Sequence, residues 1–158
     1  MANDKIIWDF LKEKIGNEYG VAGLMGNLYA ESGLIPTNME NAYEKKLGYT
    51  DSTYTAAVDN GEYTKFGTDA VGYGLAQWTY HTRKKGLLAY AQSKKVSIGD
   101  LNMQLEYLYK ELSESYKGVL STLKSANSIK MASNKVLTDF ERPANQSESV
   151  KSLRAKYG

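Results

Sequence analysis

Three glycines at steps of three lie inside a segment that otherwise has the spacing of a helix: Gly20, Gly23 and Gly26. The apolar residues between them fall at i, i+3, i+4 and i+7, and they are Val21, Leu24, Met25 and Leu28. This pattern predicts a helix that Asn17 caps and that ends near Ser32, with Gly33 after the C-cap. Each glycine costs about 0.5–1 kcal/mol relative to alanine in a helix interior. We therefore expect another backbone to pack very close to this helix.

The rest of the chain predicts helices on either side of an irregular middle. Residues 36–79 are rich in Gly, Tyr, Thr, Asp and Asn, whereas helical spacing dominates before and after them. The predicted N-caps are Asp4, Asn17, Asp51, Thr79, Asp100 and Ser128. The pair Asn60-Gly61 either closes a short helix or turns a hairpin. Pro143 should end the helix before it, because it disfavours helical geometry at Arg142.

Composition excludes several classes of protein. A length of 158 residues fits one domain, so we expect 1–158 to form a single domain, whether complete or excised from a longer modular protein. A net charge of +2 is too small to indicate nucleic-acid binding. With no Cys and one His, thiol catalysis, disulfides and Cys-rich zinc sites are excluded, and we expect no cofactor or metal. No apolar run approaches the ~20 residues of a membrane span, so we expect no membrane insertion.

Glu31 is the most informative single residue. It lies three residues after Leu28, so it continues the apolar face of the predicted helix. It also falls in the last turn, where the helix dipole disfavours a carboxylate. Burial and dipole would both favour the protonated carboxyl, as a general acid requires. The alternative is that the helix frays here and that Glu31 is a solvated surface residue.

The segment 72–79, with the sequence GYGLAQWT, is the second candidate for chemistry. Its two glycines allow the close approach of a backbone or ligand, while Tyr73, Gln77 and Trp78 offer aromatic surface and an amide suited to a sugar. The alternative is a buried strand or turn with Trp78 in the core. A second carboxylate would come from the irregular middle, where Asp69 is the first choice. The other candidates are Glu40, Asp51, Asp59 and Glu62.

Two further charged segments have simpler interpretations. Glu141, before Arg142 and Pro143, more often fixes a chain reversal than takes part in catalysis. The Lys and Arg clusters at 83–85 and 94–95 are most simply solvated helix faces.

Three blocks of this sequence resemble the signature blocks of the bacteriophage tail-type lysozymes, a family within the lysozyme-like superfamily. The blocks are 23–34 (GLMGNLYAESGL), 72–79 (GYGLAQWT) and 140–145 (FERPAN), and they occur in the family's order over nearly the whole chain. The resemblance implies a mainly α, lysozyme-like α+β fold: a helical domain, a small β or irregular lobe, and a sugar cleft between them.

The resemblance also implies a chemistry. Glu31 matches the family's catalytic glutamate, which would protonate the glycosidic oxygen between N-acetylmuramic acid and N-acetylglucosamine. Tyr73 and Gln77 match the sugar-binding wall of the cleft. Tyr29, Trp78 and Glu141, within the same blocks, are further candidates for substrate contact. The second acid stays open: Asp69 would serve a retaining or an inverting mechanism, and without it the substrate's acetamido or 6-hydroxyl group would take part, the latter giving lytic transglycosylation.

The expected partner is therefore the glycan strand of bacterial peptidoglycan. Proteins of this family are peptidoglycan hydrolases of phage tail tips and endolysins, and they act as bacteriolytic glycosidases on the cell wall. We expect a monomer as an isolated domain, joined in some architectures to a wall-binding or endopeptidase domain. The first residues lack the basic start of a signal peptide, so we expect tail association or release by another route. A non-catalytic wall-binding or tail-structural module is the alternative from a different class.

Overall fold

The protein is described here by a computed structural model that covers residues 2–143 and 146–158, and these residues are mainly α-helical, as predicted. The α-helices within those ranges are α1 (Ala2–Ile15), α2 (Glu18–Ser32), α3 (Asn41–Leu47), α4 (Asp51–Asp59), α5 (His81–Lys94), α6 (Leu101–Glu114), α7 (Lys117–Ser125), α8 (Ile129–Lys135) and α9 (Glu148–Tyr157). A π-helix, Val136–Glu141, continues α8. None of these helices is both long and apolar enough to cross a bilayer.

The residues group into two compact units. The first unit comprises Met1–Leu34 and Leu108–Gly158, and the second comprises Ile35–Tyr107. The single domain that the sequence favours over 1–158 stays a prediction. Glu31 belongs to the first unit, and the 72–79 block belongs to the second.

Helix α2 is the central element of the first unit, where α1, α7, α8 and α9 pack against it. A methyl group added at Gly20, Gly23 or Gly26 would run into α7, α8 or α9, respectively. At Gly23 the added carbon would lie 2.6 Å from Ala132 Cβ, and at Gly26 it would lie 2.5 Å from the carbonyl oxygen of Arg154. The predicted close approach of other backbones to these glycines is thus confirmed.

Both ends of α2 are fixed as the sequence predicts. The side-chain oxygen of Asn17 accepts hydrogen bonds from the backbone N–H groups of Tyr19 and Gly20, at 2.9 and 3.3 Å. Its amide nitrogen also donates to the carbonyl oxygen of Ala126, at 2.8 Å, which ties the start of α2 to the segment after α7. At the other end Gly33 adopts the left-handed conformation, with φ of 65°.

The second unit contains α3, α4, α5 and the first part of α6, with turns between them and several aromatic side chains in its core. No strand forms among its described residues; Tyr73 makes isolated antiparallel bridges to Met39 and to Trp78. Its largest fully buried side chains are Tyr54, Phe66, Tyr73, Trp78 and Lys84. The irregular character predicted for the middle of the chain is therefore present.

Several predicted helix starts are confirmed and others shift. Asp100 and Ser128 accept hydrogen bonds from backbone N–H groups three residues later and cap α6 and α8. Asp4 is wrong as a cap, since α1 begins before it. Asp51 is the first residue of α4 instead of its cap, and α5 begins two residues after Thr79. At α4 and α5 the residues next to the predicted caps, Thr50 and Tyr80, take the extended backbone conformation of an N-cap.

The pair Asn60-Gly61 ends α4, so the helical alternative is confirmed over the hairpin. Helix α3 was not predicted, because its seven residues contain no buried side chain and hence no apolar stripe. The π-helix was also missed, since the spacing of Val136 and Phe140 equally suits an α-helix. It ends at Glu141, before Arg142 and Pro143, where the proline was expected to stop the chain from continuing as a helix.

We expect Gly23→Ala to destabilise the protein by roughly 1–3 kcal/mol, because the new methyl group would force α8 away from α2. The matched control is Gly118→Ala in α7, where an added carbon would meet nothing within 4 Å. That change should stabilise the helix by roughly 0.5–1 kcal/mol. Urea unfolding of both variants checks the prediction; equal effects at the two positions would contradict it.

Candidate active site

The carboxyl of Glu31 lies in the last turn of α2 and keeps 18% of its side-chain surface exposed. Its Oε1 accepts a hydrogen bond from Nη2 of Arg154, at 2.9 Å. The helix does not fray at this point, because Gly33 closes it and Ser32 is buried. The frayed, solvated alternative for Glu31 is therefore wrong, and the side chain is a mostly shielded group with a remaining opening to solvent.

Arg154 reaches Glu31 from α9, and a chain of hydrogen bonds holds it there. The residue is only 8% exposed. Its Nη1 donates to Oδ1 of Asn27 at 3.2 Å. The amide nitrogen of Asn27, which is fully buried, donates in turn to the carbonyl oxygens of Gly23 and Ser133 at 3.0 and 3.1 Å. Both side-chain polar atoms of the buried Asn27 therefore have partners, as burial requires.

The cation of Arg154 changes the electrostatics that the sequence predicts for Glu31. The expectation of a protonated carboxyl considered only the apolar face and dipole of α2. It did not include the guanidinium that contacts Oε1 of Glu31 through a hydrogen bond at 2.9 Å. Arg154 lies 123 positions after Glu31 in the chain, so helical spacing around Glu31 cannot reveal this contact.

Tyr29 lies near Glu31 in the sequence of α2 and is half-exposed. Its ring packs edge-to-face against that of Tyr157 in α9, with the ring centroids 4.8 Å apart. Tyr157 is also exposed, at 44%. The pair therefore presents aromatic surface on the first unit, where a substrate contact by Tyr29 stays a prediction.

Glu141 ends the π-helix, and both of its carboxylate oxygens are shielded from solvent. The next residue, Arg142, adopts a left-handed conformation with φ of 50°, which turns the chain just before Pro143. This geometry fits the chain-reversal interpretation. Substrate contact by Glu141 stays a prediction, and the last two residues of the 140–145 block, Ala144 and Asn145, lie outside the described residues.

The 72–79 block folds on itself within the second unit. Tyr73 and Trp78 exchange two backbone hydrogen bonds, at 3.1 and 3.0 Å, and both side chains are fully buried. The hydroxyl of Tyr73 lies 2.6 Å from that of Thr55. Gln77 donates its amide N–H groups to the carbonyl oxygens of Asn38 and Gly74. The three side chains thus have structural partners, and neither ring has exposed surface to offer a sugar in this conformation.

Asp69 is the centre of a buried polar cluster in the second unit. Its Oδ1 lies 2.5 Å from Nζ of Lys84 and accepts from the backbone N–H of Val71 at 3.0 Å. Its Oδ2 accepts from the hydroxyls of Tyr54 and Tyr63, at 2.6 and 2.7 Å. The side chain of Asp69 is 7% exposed. Both oxygens are therefore fully engaged, which favours a structural role over a second catalytic acid.

Lys84 supplies the countercharge for Asp69 and was not predicted to do so. The sequence interpretation of 83–85 as a solvated face is wrong for this residue, because its side chain is 0% exposed. Its ammonium also donates to the carbonyl oxygen of Val71 and lies 4.2 Å from the centroid of the Phe66 ring. Burial lowers the pKa of Lys84, while Asp69 acts in the opposite direction.

The other acids proposed as a partner for Glu31 hold backbone groups or lie in solvent. Glu40 accepts from the N–H of Gly72 at 2.9 Å, and Asp51 from that of Met39 at 2.9 Å. Asp59 accepts from the N–H of Ile98 at 3.0 Å, and Glu62 is exposed. Among the described residues, no group of three or more His, Cys, Asp or Glu is placed to hold a metal ion.

The first unit is thus a group of helices in which the mostly shielded carboxyl of Glu31 lies at the end of the central helix α2. Residues 2–157 match the phage tail lysozyme family, and the chain belongs to this family, which confirms the resemblance. It is similar to Morphogenesis protein 1 of Bacillus phage B103, with 23% identity over 165 residues that cover 98% of this chain and 38% of that protein. None of the solved structures matches the chain. The family's description refers to a lysozyme of phage tails.

We expect stability to fall as the pH rises above about 10.5. Burial, followed by the bonds to Asp69, raises the pKa of Tyr54 and of Tyr63 well above the ordinary value of 10.0. The folded protein then keeps protons that the unfolded chain loses above about pH 10, so stability falls with pH. Lys84, with its lowered pKa, acts in the opposite sense, but only below 10.5.

Two measurements between about pH 9 and pH 12 check this expectation: absorbance at 295 nm, which reports tyrosine ionisation, and denaturant unfolding, which reports stability. Tyr54, Tyr63 and Tyr73, whose pKa values burial raises, should ionise only as the protein unfolds. Tyr63→Phe should make the alkaline decline less steep, whatever its effect at neutral pH. An unchanged slope in Tyr63→Phe would argue against the Asp69 cluster.

Proposed function

We propose that the protein is a peptidoglycan glycosidase that cleaves the β-1,4 bond between N-acetylmuramic acid and N-acetylglucosamine, with Glu31 as the general acid. The observation that carries the proposal is the shielded yet accessible carboxyl at the end of α2, in a chain of the phage tail lysozyme family. Glu31 would donate its proton to the glycosidic oxygen as the bond to the sugar's C1 breaks.

The surroundings of Glu31 support this role. The carboxyl is fixed in one orientation by Arg154, and orientation of a reacting group lowers the barrier to reaction. Tyr29 adds exposed aromatic surface on the same helix, which suits the apolar face of a sugar ring. The glycan-binding cleft that the resemblance implies is part of this proposal. Tyr73, Gln77 and Trp78 would then act by shaping their loop, since their side chains are occupied within the second unit.

A second candidate for the chemistry is lytic transglycosylation by the same Glu31. The specific observation in its favour is the saturation of Asp69 by four donors, which leaves it no lone pair for activating water. In a transglycosylase the 6-hydroxyl of the muramic acid residue attacks C1, and Glu31 can accept its proton. No second protein acid is needed for that step.

The site of action would be the bacterial cell wall, reached as part of a phage tail or after release. The chain spans 38% of the length of the curated relative, so the whole protein's activity and partners are part of the proposal. The relative's name refers to morphogenesis, which fits a tail component and also the rival function of a non-catalytic, wall-binding or tail-structural module.

Glu31→Gln should keep the fold and lower cleavage of purified peptidoglycan by about 10²–10⁴-fold, the usual contribution of a general acid. The measurement is release of soluble fragments, followed by mass spectrometry of their ends. The matched control is Glu18→Gln, at the exposed start of the same helix, which should be fully active.

The fragment ends separate the remaining alternatives. Reducing muramic ends indicate a muramidase, anhydro-muramic ends indicate a transglycosylase, and reducing glucosamine ends indicate the other bond. Wild-type protein that binds insoluble peptidoglycan without releasing fragments would favour the non-catalytic module. Full activity in Glu31→Gln would overturn the assignment of the acid.

Asp69→Asn tests whether Asp69 is structural or catalytic. Loss of its charge leaves Lys84 buried without a counterion, so we expect roughly 3–5 kcal/mol of destabilisation. Activity should fall only as far as the folded fraction falls. The double variant Asp69→Asn with Lys84→Met should recover part of the stability, because no uncompensated charge remains. A stable Asp69→Asn protein without activity would instead support the catalytic prediction.

A further inference from the structure

Arg154 uses two nitrogens of its guanidinium for two different residues of α2. Nη2 donates to Oε1 of Glu31 at 2.9 Å, and Nη1 donates to Oδ1 of Asn27 at 3.2 Å. An arginine is seldom this deeply buried unless its charge and donors are paired. The pairing therefore fixes the plane of the guanidinium against the end of α2.

The orientation of Asn27 is itself determined by its neighbours. Its Nδ2 lies within hydrogen-bond distance of the carbonyl oxygens of Gly23 and Ser133, which can only accept. Its Oδ1 must consequently face Arg154. This arrangement selects a donor at that position, and it links the guanidinium to two helices, α2 and α8.

We propose that Arg154 is a positioning residue for the general acid: it holds Oε1 of Glu31 and thereby assigns the transferable proton to Oε2. The inference rests on the proposed function of Glu31. Oε1 accepts the bond from Arg154, and among the described residues no hydrogen bond is made to Oε2. A neutral carboxyl can keep this geometry, with Oε1 as the carbonyl oxygen and Oε2 as the hydroxyl.

The proton and electron balance follows from this assignment. The Oε2 proton passes to the glycosidic oxygen, and the C1–O bond breaks with its electron pair on that oxygen. Glu31 becomes a carboxylate, whose new charge Arg154 stabilises across the 2.9 Å hydrogen bond. When water or a substrate hydroxyl then attacks C1, its proton returns to Oε2. The guanidinium keeps all its protons throughout.

Arginine suits this role better than lysine. A planar guanidinium can contact Glu31 and Asn27 at once from fixed positions, whereas an ammonium is a compact charge on a flexible chain. Arg154→Lys therefore keeps the charge but loosens the carboxyl. A misplacement of about 1 Å in such a site can cost on the order of 10²-fold in rate.

Kinetics on defined glycan oligomers test the inference with two variants, Arg154→Lys and Arg154→Met, beside the control Lys156→Gln. Lys156 is an exposed cation in the same last turn of α9. We expect kcat to fall about 10–100-fold in Arg154→Lys and further in Arg154→Met, while KM stays within about twofold. Lys156→Gln should behave as wild type.

A double variant and a binding measurement separate positioning from a general loss of structure. In the Glu31→Gln background, Arg154→Lys should cause no further loss of residual cleavage, because the two residues act as one unit. Glycan binding by that double variant should match that of Glu31→Gln alone. If Arg154→Met fails to fold, Arg154→Lys and the double variant still decide the question.

The outcomes distinguish this inference from the function on which it rests. If the wild-type protein does not cleave peptidoglycan, both the proposed function and the positioning role of Arg154 are wrong. If the wild type is active, Glu31→Gln is inactive and Arg154→Lys is unimpaired, only the positioning role is wrong. A raised KM with unchanged kcat in Arg154→Lys also overturns it, since Arg154 would then serve substrate binding.

Discussion

The close packing of α2 against its neighbours is the constraint on which the rest of the first unit depends. At Gly26 the absence of a side chain lets the backbone of α9 approach at Arg154 itself, because an added carbon would lie 2.5 Å from that residue's carbonyl oxygen. This close approach of α9 to α2 allows the Arg154 side chain to reach both Asn27 and Glu31. The glycine that lowers the helix propensity of α2 thus also brings the guanidinium to the carboxyl, so fold and site share one contact.

In the second unit the buried charged residues Asp69 and Lys84 provide partners for buried polar groups. Its interior combines aliphatic side chains with aromatic rings, several of which carry polar tips. Those tips need acceptors when they are buried, and Asp69 accepts from two of them. Its charge then needs a cation, which Lys84 provides from α5. The buried polar cluster around Asp69 thus satisfies the hydroxyl groups of two tyrosines in this core.

The sequence predicts the local features of this protein well. The cap at Asn17, the end of α2 at Gly33 and the close approach at the three glycines all follow from residues within one helix. These features depend on neighbours in the chain, whose chemistry is visible in the sequence.

The pairings across long stretches of sequence could not be predicted in this way. Arg154 lies 123 residues from Glu31, and nothing in its own helix distinguishes it from a surface arginine. Lys84 sits in a run of three cations, of which the fold buries this one. Asp69 was predicted as a second acid and Trp78 as aromatic surface for a sugar, but spacing alone does not tell whether a polar or aromatic residue faces a ligand or a core.

If Glu31 is the general acid, the first unit supplies the catalytic acid, whereas the acids considered as its partners have structural roles in the second unit. The proposed partner acids Glu40, Asp51, Asp59 and Asp69 stabilise loops of the second unit. An acid that holds a backbone N–H or a buried lysine cannot move to assist water without loosening its loop. A glycan that supplies its own acetamido or hydroxyl group avoids this conflict, since the nucleophile then arrives with the substrate. The protein would need to control only one proton, and the contact between α2 and α9 is placed to control it.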